Sequence, residues 1–134
     1  MTKRLKKTEI KTKRLKLDSS SLSIRKNKIL FSFHYVQPGK YCFSKLNTDD
    51  KVHITESIFK RKNFVFQDLI DNHKYGLGSE KIPTKAINAV IPDFIQDNFL
   101  LALRFNGKKP MVGYLQDNIF YILWFDHDFT LYKH

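Results

Sequence analysis

Residues 99–125, FLLALRFNGKKPMVGYLQDNIFYILWF, are the most informative segment for the fold. The segment contains three apolar runs separated by short polar turns, and Asn106-Gly107 is a strong signal for a hairpin turn. The last run, IFYILWF, is apolar on both faces, which predicts a strand in the interior of a sheet. We therefore predict a C-terminal antiparallel β-meander with strands at residues 99–105, 111–116 and 119–125.

Further extended segments are predicted on either side of the meander. Residues 29–36, ILFSFHYV, alternate aromatic or apolar residues with others and are predicted to form the first strand. Residues 41–46 are expected to be extended and able to pair back on that strand. A last short strand is expected at residues 130–134.

Two helices are predicted between the first strand and the meander. Asn47-Thr48-Asp49-Asp50 offers N-cap residues, and apolar residues follow at helical spacing up to about Lys62. A second helix is expected at residues 64–73. The order of strand, helices and meander is typical of an α+β domain, which we assign to residues 29–134.

Composition excludes several classes of protein. The chain has 134 residues, of which 42% are hydrophobic, and no apolar run is long enough to cross a membrane. Its basic N-terminus is not followed by the apolar region of a secretory signal, so we expect a cytoplasmic protein without membrane contact. The single cysteine excludes a disulfide framework and a zinc site of several cysteines, and no metal or cofactor is predicted.

The positive charge is concentrated in an N-terminal arm. The whole chain carries a net charge of +11, residues 1–28 carry +9 of it, and the remainder is nearly neutral. The arm has too few apolar residues to order itself, and basic residues at this density bind polyanions by releasing counterions. Eight of them are predicted to contact nucleic acid: Lys3, Arg4, Lys6, Lys7, Lys11, Lys13, Arg14 and Lys16. The alternative is a solvated tail, or one that docks on a partner protein.

The predicted meander brings charged residues to one edge of the sheet. If both turns are two-residue hairpins, Arg104 faces Lys109, and Lys109 faces Asp126, in one row on one face. Like charges directly opposite each other are unfavourable unless an acidic residue or a bound anion neutralises them. Four further residues are expected near this edge: Lys108, His127, Tyr132 and His134.

A cluster of Arg, Lys, Tyr and His side chains without paired carboxylates is suited to one reaction. That reaction is cleavage of RNA by attack of the 2′-hydroxyl on the neighbouring phosphate. This reaction needs a base, a proton donor for the leaving 5′-oxygen, and cations for the developing charge. The predicted catalytic residues are Arg104, His127, Tyr132 and His134. Lys108 and Lys109 are predicted to bind phosphate. These residues are also compatible with purely structural roles. Arg104 and Lys109 would then lie at a solvated strand end, Tyr132 would cap the core, and His127 would be an ordinary turn residue.

The C-terminal sequence RFNGKKPMVGYLQDNIFYILWFDHDFTLYKH, residues 104–134, resembles a group of small bacterial and phage-borne toxin-like proteins. The opening strand ILFSFHYV resembles theirs too. A looser resemblance is to RelE-type mRNA endonuclease toxins, which also end in an antiparallel meander. By that resemblance Arg104 matches a phosphate-binding arginine, and Tyr132 and His134 match a terminal catalytic pair. The long N-terminal arm and the broken helical middle depart from the RelE pattern.

Three functions from different classes are compatible with these features. The first is a metal-independent endoribonuclease of a toxin–antitoxin or phage-defence system, with RNA or the ribosome and an acidic antitoxin as partners. The second is a non-enzymatic protein that binds nucleic acid or nucleoprotein, such as a phage-encoded inhibitor or adaptor. The third is an interaction protein whose aromatic surface dimerises, because 12 phenylalanines exceed what so small a body can bury.

Overall fold

The computed structural model describes residues 26–71 and 76–134, and nearly all of the predicted arm lies outside them. The predicted α+β class is confirmed, since the described residues form a five-stranded mixed sheet and two α-helices. The strands are β1 (Leu30–Ser32), β2 (Glu80–Pro83), β3 (Phe99–Asn106), β4 (Lys109–Gln116) and β5 (Ile119–Phe125). The helices are α1 (Thr48–Lys60) and α2 (Phe66–Asp71).

The strands follow the order β1-β5-β4-β3-β2. β3, β4 and β5 form the predicted antiparallel meander, and β5 has a neighbour on each side, which confirms its interior position. β1 pairs with β5 in parallel and forms one edge, while β2 forms the other. The chain from β1 to β2 must therefore cross the whole sheet, and α1 and α2 lie within that crossing.

Helix α1 begins at a side-chain cap that the sequence predicts. The side chain of Asn47 accepts a hydrogen bond from the backbone N–H of Asp50 at 2.7 Å. Val52 and Phe59, part of the apolar pattern that predicts the helix, are 53% and 62% exposed. The buried positions recur at helical spacing instead: Asp50, Ile54, Ser57 and Arg61. The inner side of the helix is therefore largely polar.

The extended segment after β1 is shorter than predicted. Only Leu30–Ser32 of the predicted strand at residues 29–36 is a strand, and residues 41–46 contain a 3₁₀ turn at Phe43–Lys45. Beyond β1 the chain keeps only isolated backbone hydrogen bonds to β5, one between Gln37 and Leu123 and one between Phe125 and Tyr41, both 2.9 Å. The predicted hairpin in this region is therefore wrong.

The predicted last strand, residues 130–134, is also wrong. This segment is irregular, and its Leu131 and Tyr132 side chains are buried against one face of the sheet. The Leu131 carbonyl accepts a hydrogen bond from the backbone N–H of Asn88 at 2.6 Å, so the segment pairs with a loop and not with a strand edge.

Strand β2 is the element that the sequence does not reveal. It has four residues, ends at Pro83, and buries only Ile82. A proline is tolerated at the end of an edge strand, where its missing N–H removes no ladder bond. So short and exposed a strand carries no alternating pattern.

Both faces of the sheet are covered, which explains why the meander is apolar on both sides. On the face toward α1 and α2, Leu103, Met111 and Ile122 form one apolar cluster with residues of the helices. On the other face, Val112 and Trp124 belong to a second apolar cluster. Loop residues cover that second cluster: Tyr41, Ile87 and Leu131.

The turn between β3 and β4 lies one residue later than predicted. Asn106 pairs with Lys109, so the turn residues are Gly107 and Lys108. Gly107 has a φ of +61°, a conformation that glycine adopts without a steric penalty. A register irregularity between Arg104 and Asn106 accompanies the turn.

The later turn and this irregularity together overturn the predicted row of charges. Arg104 lies opposite Pro110, not opposite Lys109. The Pro110 carbonyl accepts a hydrogen bond from the backbone N–H of Asp126 at 2.9 Å. Arg104 and Asp126 therefore flank Pro110, and the prediction that Lys109 stands between them is wrong by one residue.

A second irregularity interrupts the pairing of β4 with β5 between Val112 and Gly113. A Cβ at Gly113 would lie 2.1 Å from the carbonyl oxygen of Tyr121. The close approach of the two strands therefore requires glycine at this position.

Within the described part of the chain, no helix is long and apolar enough to cross a membrane.

Candidate functional site

A pocket of about 660 Å³ opens beside the β3–β4 turn, a size within the range of small-molecule sites. Ala102 and Pro110 line it from the sheet. Residues from β2 and from the segment 76–79 line one side, and residues 132–134 line another. The pocket thus joins three parts of the chain that are far apart in sequence.

Four cationic side chains line this pocket: Lys81, Arg104, Lys108 and Lys133. Within residues 26–71 and 76–134, none of the four forms an ion pair, although the Nζ of Lys81 lies 5.7 Å from the centre of the Phe99 ring. Arg104 lies on β3 and is exposed, while Lys108 lies in the turn that follows β3. Unpaired cations that converge on one concavity favour an anionic ligand.

His134 is held by a buried carboxylate. Its Nε2 lies 2.8 Å from Oδ2 of Asp126, whose side chain is fully buried. The other Asp126 oxygen, Oδ1, accepts a hydrogen bond from the backbone N–H of Thr130 at 3.0 Å. The imidazole stacks on Tyr132 with ring centroids 4.1 Å apart, and Phe129 meets it edge-on at 5.0 Å. The ring is therefore fixed by a hydrogen bond and by two aromatic neighbours.

Tyr132 lines the pocket, although the residue is only 8% exposed. Burial raises the pKa of its hydroxyl well above the ordinary value, and the nearby charges of Glu80 and Asp126 raise it further, while Arg104 opposes them. The hydroxyl is thus protonated at neutral pH. It is suited to donate a hydrogen bond or a proton, and not to act as a base.

Arg61, directly after α1, forms hydrogen bonds with backbone groups of segments that line the pocket. Its guanidinium is fully buried and donates to the Leu77 carbonyl at 2.9 Å and to the Arg104 carbonyl at 3.3 Å. It also donates to the carbonyl and the hydroxyl of Ser57. No carboxylate within the described residues pairs with it, and burial lowers its pKa to about 10. This one side chain links α1 to two segments of the pocket.

Lys109, predicted to bind phosphate, is engaged elsewhere. Its Nζ lies 3.0 Å from Oδ1 of Asp50 in α1, and Asn106 donates to the same oxygen at 2.9 Å. Burial alone would raise the pKa of Asp50, but these hydrogen bonds outweigh burial and hold that pKa below its ordinary value. Lys109 therefore belongs to a satisfied ion pair on the helix side.

His127, predicted to be catalytic, is not among the residues that line the pocket. Its Nε2 donates to the Lys40 carbonyl at 3.0 Å. The structure thus brings four of the predicted site residues to the pocket: Arg104, Lys108, Tyr132 and His134. The eight predicted nucleic-acid contacts in the arm, from Lys3 to Lys16, lie outside the described residues.

Sequence reasoning missed three functional candidates. The sequence indicates a neutralising charge at Asp126 but not a partner for His134, although its place directly after β5 is a usable signal. Glu80 was missed because β2 was missed. Arg61 was missed because nothing in a sequence distinguishes a buried arginine from a solvated one at the end of a helix.

Comparison of the chain with protein-family models, with curated proteins and with solved structures finds no match. Within the described residues, no group of three or more His, Cys, Asp or Glu side chains is arranged to hold a metal ion. The function must therefore be argued from the pocket itself.

Proposed function

We propose that this chain is a toxin-like, metal-independent endoribonuclease that cleaves RNA by attack of the 2′-hydroxyl on the neighbouring phosphate. The observation that carries the proposal is the Asp126–His134 pair at the edge of a pocket lined by unpaired cations. A positioned imidazole supplies the base, and the cations supply the charge that a phosphate ligand needs.

His134 is the proposed general base. The Asp126 carboxylate can only accept a hydrogen bond, so the neutral imidazole carries its proton on Nε2 and keeps a lone pair on Nδ1. Nδ1 takes the proton of the 2′-hydroxyl as the 2′-oxygen attacks phosphorus. The imidazolium that forms is stabilised by Asp126, which acts through His134 and is a positioning residue.

Tyr132 is the proposed proton donor for the leaving 5′-oxygen. The departing alkoxide is more basic than a phenolate, so proton transfer from Tyr132 is favourable even with a raised pKa. Arg104, Lys108 and Lys133 stabilise the negative charge that develops on the phosphate oxygens.

The proposed step balances as a transesterification. The bond between the 2′-oxygen and phosphorus forms, and the bond between phosphorus and the 5′-oxygen breaks. His134 gains one proton and Tyr132 loses one, and a proton returns from the imidazolium to the phenolate through solvent. The products are a 2′,3′-cyclic phosphate and a 5′-hydroxyl.

In the cell, the proposed role is that of a toxin from a toxin–antitoxin or phage-defence system, acting in the cytoplasm on RNA or on the ribosome. The resemblance that the sequence of residues 104–134 suggests is the reason for proposing this role. An acidic antitoxin is the proposed partner, and the arm of residues 1–28, with a net charge of +9, is a suitable docking target for it.

The test is induced expression in bacteria followed by mapping of RNA 5′ ends. Wild type is compared with the Arg104→Ala, His134→Ala double variant and with a matched control, Lys45→Ala, His127→Ala, which alters the same charge types outside the pocket. The proposal predicts new 5′ ends with wild type and with the control, and none with the pocket variant. New ends that persist in the pocket variant would refute it.

The second candidate is a non-enzymatic protein that binds nucleic acid, and the unpaired cations of the pocket favour it equally. It predicts that Arg104→Ala weakens RNA binding while His134→Ala has little effect and no RNA is cut. Gel-shift titrations of both single variants beside the cleavage assay separate the two functions.

A further inference from the structure

One acidic side chain lines the cationic pocket. Glu80 is the only Asp or Glu among the described lining residues. It begins β2 directly opposite Ala102 of β3, and Arg104 follows Ala102 by two positions. Directly paired residues of antiparallel strands share a face, as do alternate residues of one strand. Glu80 and Arg104 therefore line the pocket from the same face of two neighbouring strands.

Glu80 has no partner in the part of the chain that the structure describes. It is exposed, and it forms neither an ion pair nor a side-chain hydrogen bond with residues 26–71 or 76–134. Such a carboxylate repels a phosphate bound beside Arg104. Its presence is explained if the same ligand carries hydrogen-bond donors at a second point.

A ribonucleotide meets both requirements, because it has a phosphate at one end and a base at the other. A carboxylate only accepts hydrogen bonds and has two oxygens to do so. Guanine alone among the four RNA bases has two adjacent donors on its Watson–Crick edge, N1–H and the N2 amino group. Adenine and cytosine place an acceptor beside their amino group, and uracil has one N–H between two carbonyls.

The pocket is large enough for a nucleotide base, since its volume is about 660 Å³. Its lining includes the small residues Ala86 and Ala102 and the apolar residues Ile82 and Pro83. We propose that Glu80 makes the site selective for guanosine in single-stranded RNA, by accepting hydrogen bonds from N1–H and N2–H. This inference rests on the proposed RNA cleavage, and Glu80 is a specificity-determining residue within it.

The test uses the full chain and single-stranded oligoribonucleotides that differ at one position, which carries G, A, C, U or inosine. Inosine keeps N1–H and lacks the N2 amino group, so it tests the proposed pairing without altering the protein. Wild type is expected to cleave beside G about 10- to 100-fold faster than beside A, C or U, as is typical of a bidentate contact, with inosine intermediate.

Glu80→Gln is expected to reduce the preference for G to within about threefold while cleavage beside the other bases is retained. Glu56→Gln is the matched control, since Glu56 is an exposed carboxylate of α1 outside the pocket. Equal cleavage of G and inosine substrates, or an unchanged preference in Glu80→Gln, would overturn the inference while the endoribonuclease stands. Absence of cleavage of every oligonucleotide would refute the proposed function itself.

Discussion

The β3–β4 hairpin carries two basic regions that differ in what surrounds them. On the helix side, Lys109 meets Asp50 at 3.0 Å and its charge is neutralised by a buried acid. On the pocket side, Arg104 and Lys108 come from the same hairpin and have no acidic partner in the described chain. Lys108 in the turn and Lys109 at the start of β4 are adjacent in sequence but have different surroundings. One is available to a ligand, and the other fastens the hairpin to α1.

The largest expected effect is a loss of catalytic rate when a residue on the pocket side of the hairpin is substituted. His134→Ala removes the proposed base and should lower the rate of RNA cleavage by about 10²- to 10⁴-fold. His127→Ala alters a histidine outside the pocket and should leave that rate unchanged. Rates of oligonucleotide cleavage under single-turnover conditions check both. Equal losses in the two variants would contradict the assignment.

Asp126→Asn tests whether the buried carboxylate acts through His134. The asparagine keeps an acceptor for the Thr130 N–H and loses the negative charge beside Nε2. We expect kcat to fall by about 10²-fold with little change in KM. A variant that loses affinity for RNA at an unchanged kcat would show that Asp126 has a different role.

The next largest effect is a loss of stability when the ion pair on the helix side is removed. Lys109→Ala leaves the buried Asp50 carboxylate with one hydrogen bond, from the neutral side chain of Asn106, and should lower the free energy of unfolding by about 1–3 kcal/mol. Lys108→Ala should change it by less than about 0.5 kcal/mol, because Lys108 is exposed and unpaired. Urea denaturation of both variants measures the difference, and equal stabilities would contradict the contrast between the two lysines.

The helix side should also respond to acid. Hydrogen bonds from Asn106 and Lys109 hold the pKa of Asp50 below its ordinary value of 3.8 despite burial. The ionised form therefore stabilises the fold fully above the ordinary pKa, and this contribution is lost as the pH falls through the lower folded-state pKa. Asp50→Asn should be less stable than wild type at neutral pH and should lose less stability on acidification. Parallel curves of unfolding free energy against pH would refute this.

The smallest effect concerns Tyr132 at alkaline pH. Its folded-state pKa is raised above the ordinary value of 10.0, chiefly by burial, so the folded protein keeps a proton that the unfolded chain loses. Stability from this group is present below the ordinary pKa and falls as the pH rises above it. The difference in unfolding free energy between wild type and Tyr132→Phe should therefore shift against wild type between pH 8 and 11. A constant difference would count against a buried, protonated hydroxyl.

The sequence predicts the meander well because each strand is signalled by a continuous apolar run and a turn dipeptide. It predicts α1 because Asn47 is a recognisable cap. It fails for β2, because a strand of four residues with only Ile82 buried has no recognisable pattern. It also fails to identify the inner side of α1, because that side is built from Asp50 and Arg61, which look like surface residues until their partners are known.

For the site, the sequence identifies residue types but not the register that arranges them. Because the turn lies one residue later than predicted and an irregularity accompanies it, Pro110 and not Lys109 lies opposite Arg104. Lys109, a predicted phosphate ligand, instead contacts Asp50 on the helix side. The hydrogen bond between Asp126 and His134 depends on how the last residues fold back on the sheet, which no local pattern predicts.

The chemistry of the RNA ends made by the purified full chain tests the proposed cleavage most directly. A labelled oligoribonucleotide is compared with the same molecule carrying one 2′-O-methyl group at the cleaved position, and His134→Ala is run beside wild type. We expect a 2′,3′-cyclic phosphate and a 5′-hydroxyl, no cleavage at the methylated position, and loss of cleavage in His134→Ala. Cleavage of the methylated position, or undiminished cleavage by His134→Ala, would contradict the proposal.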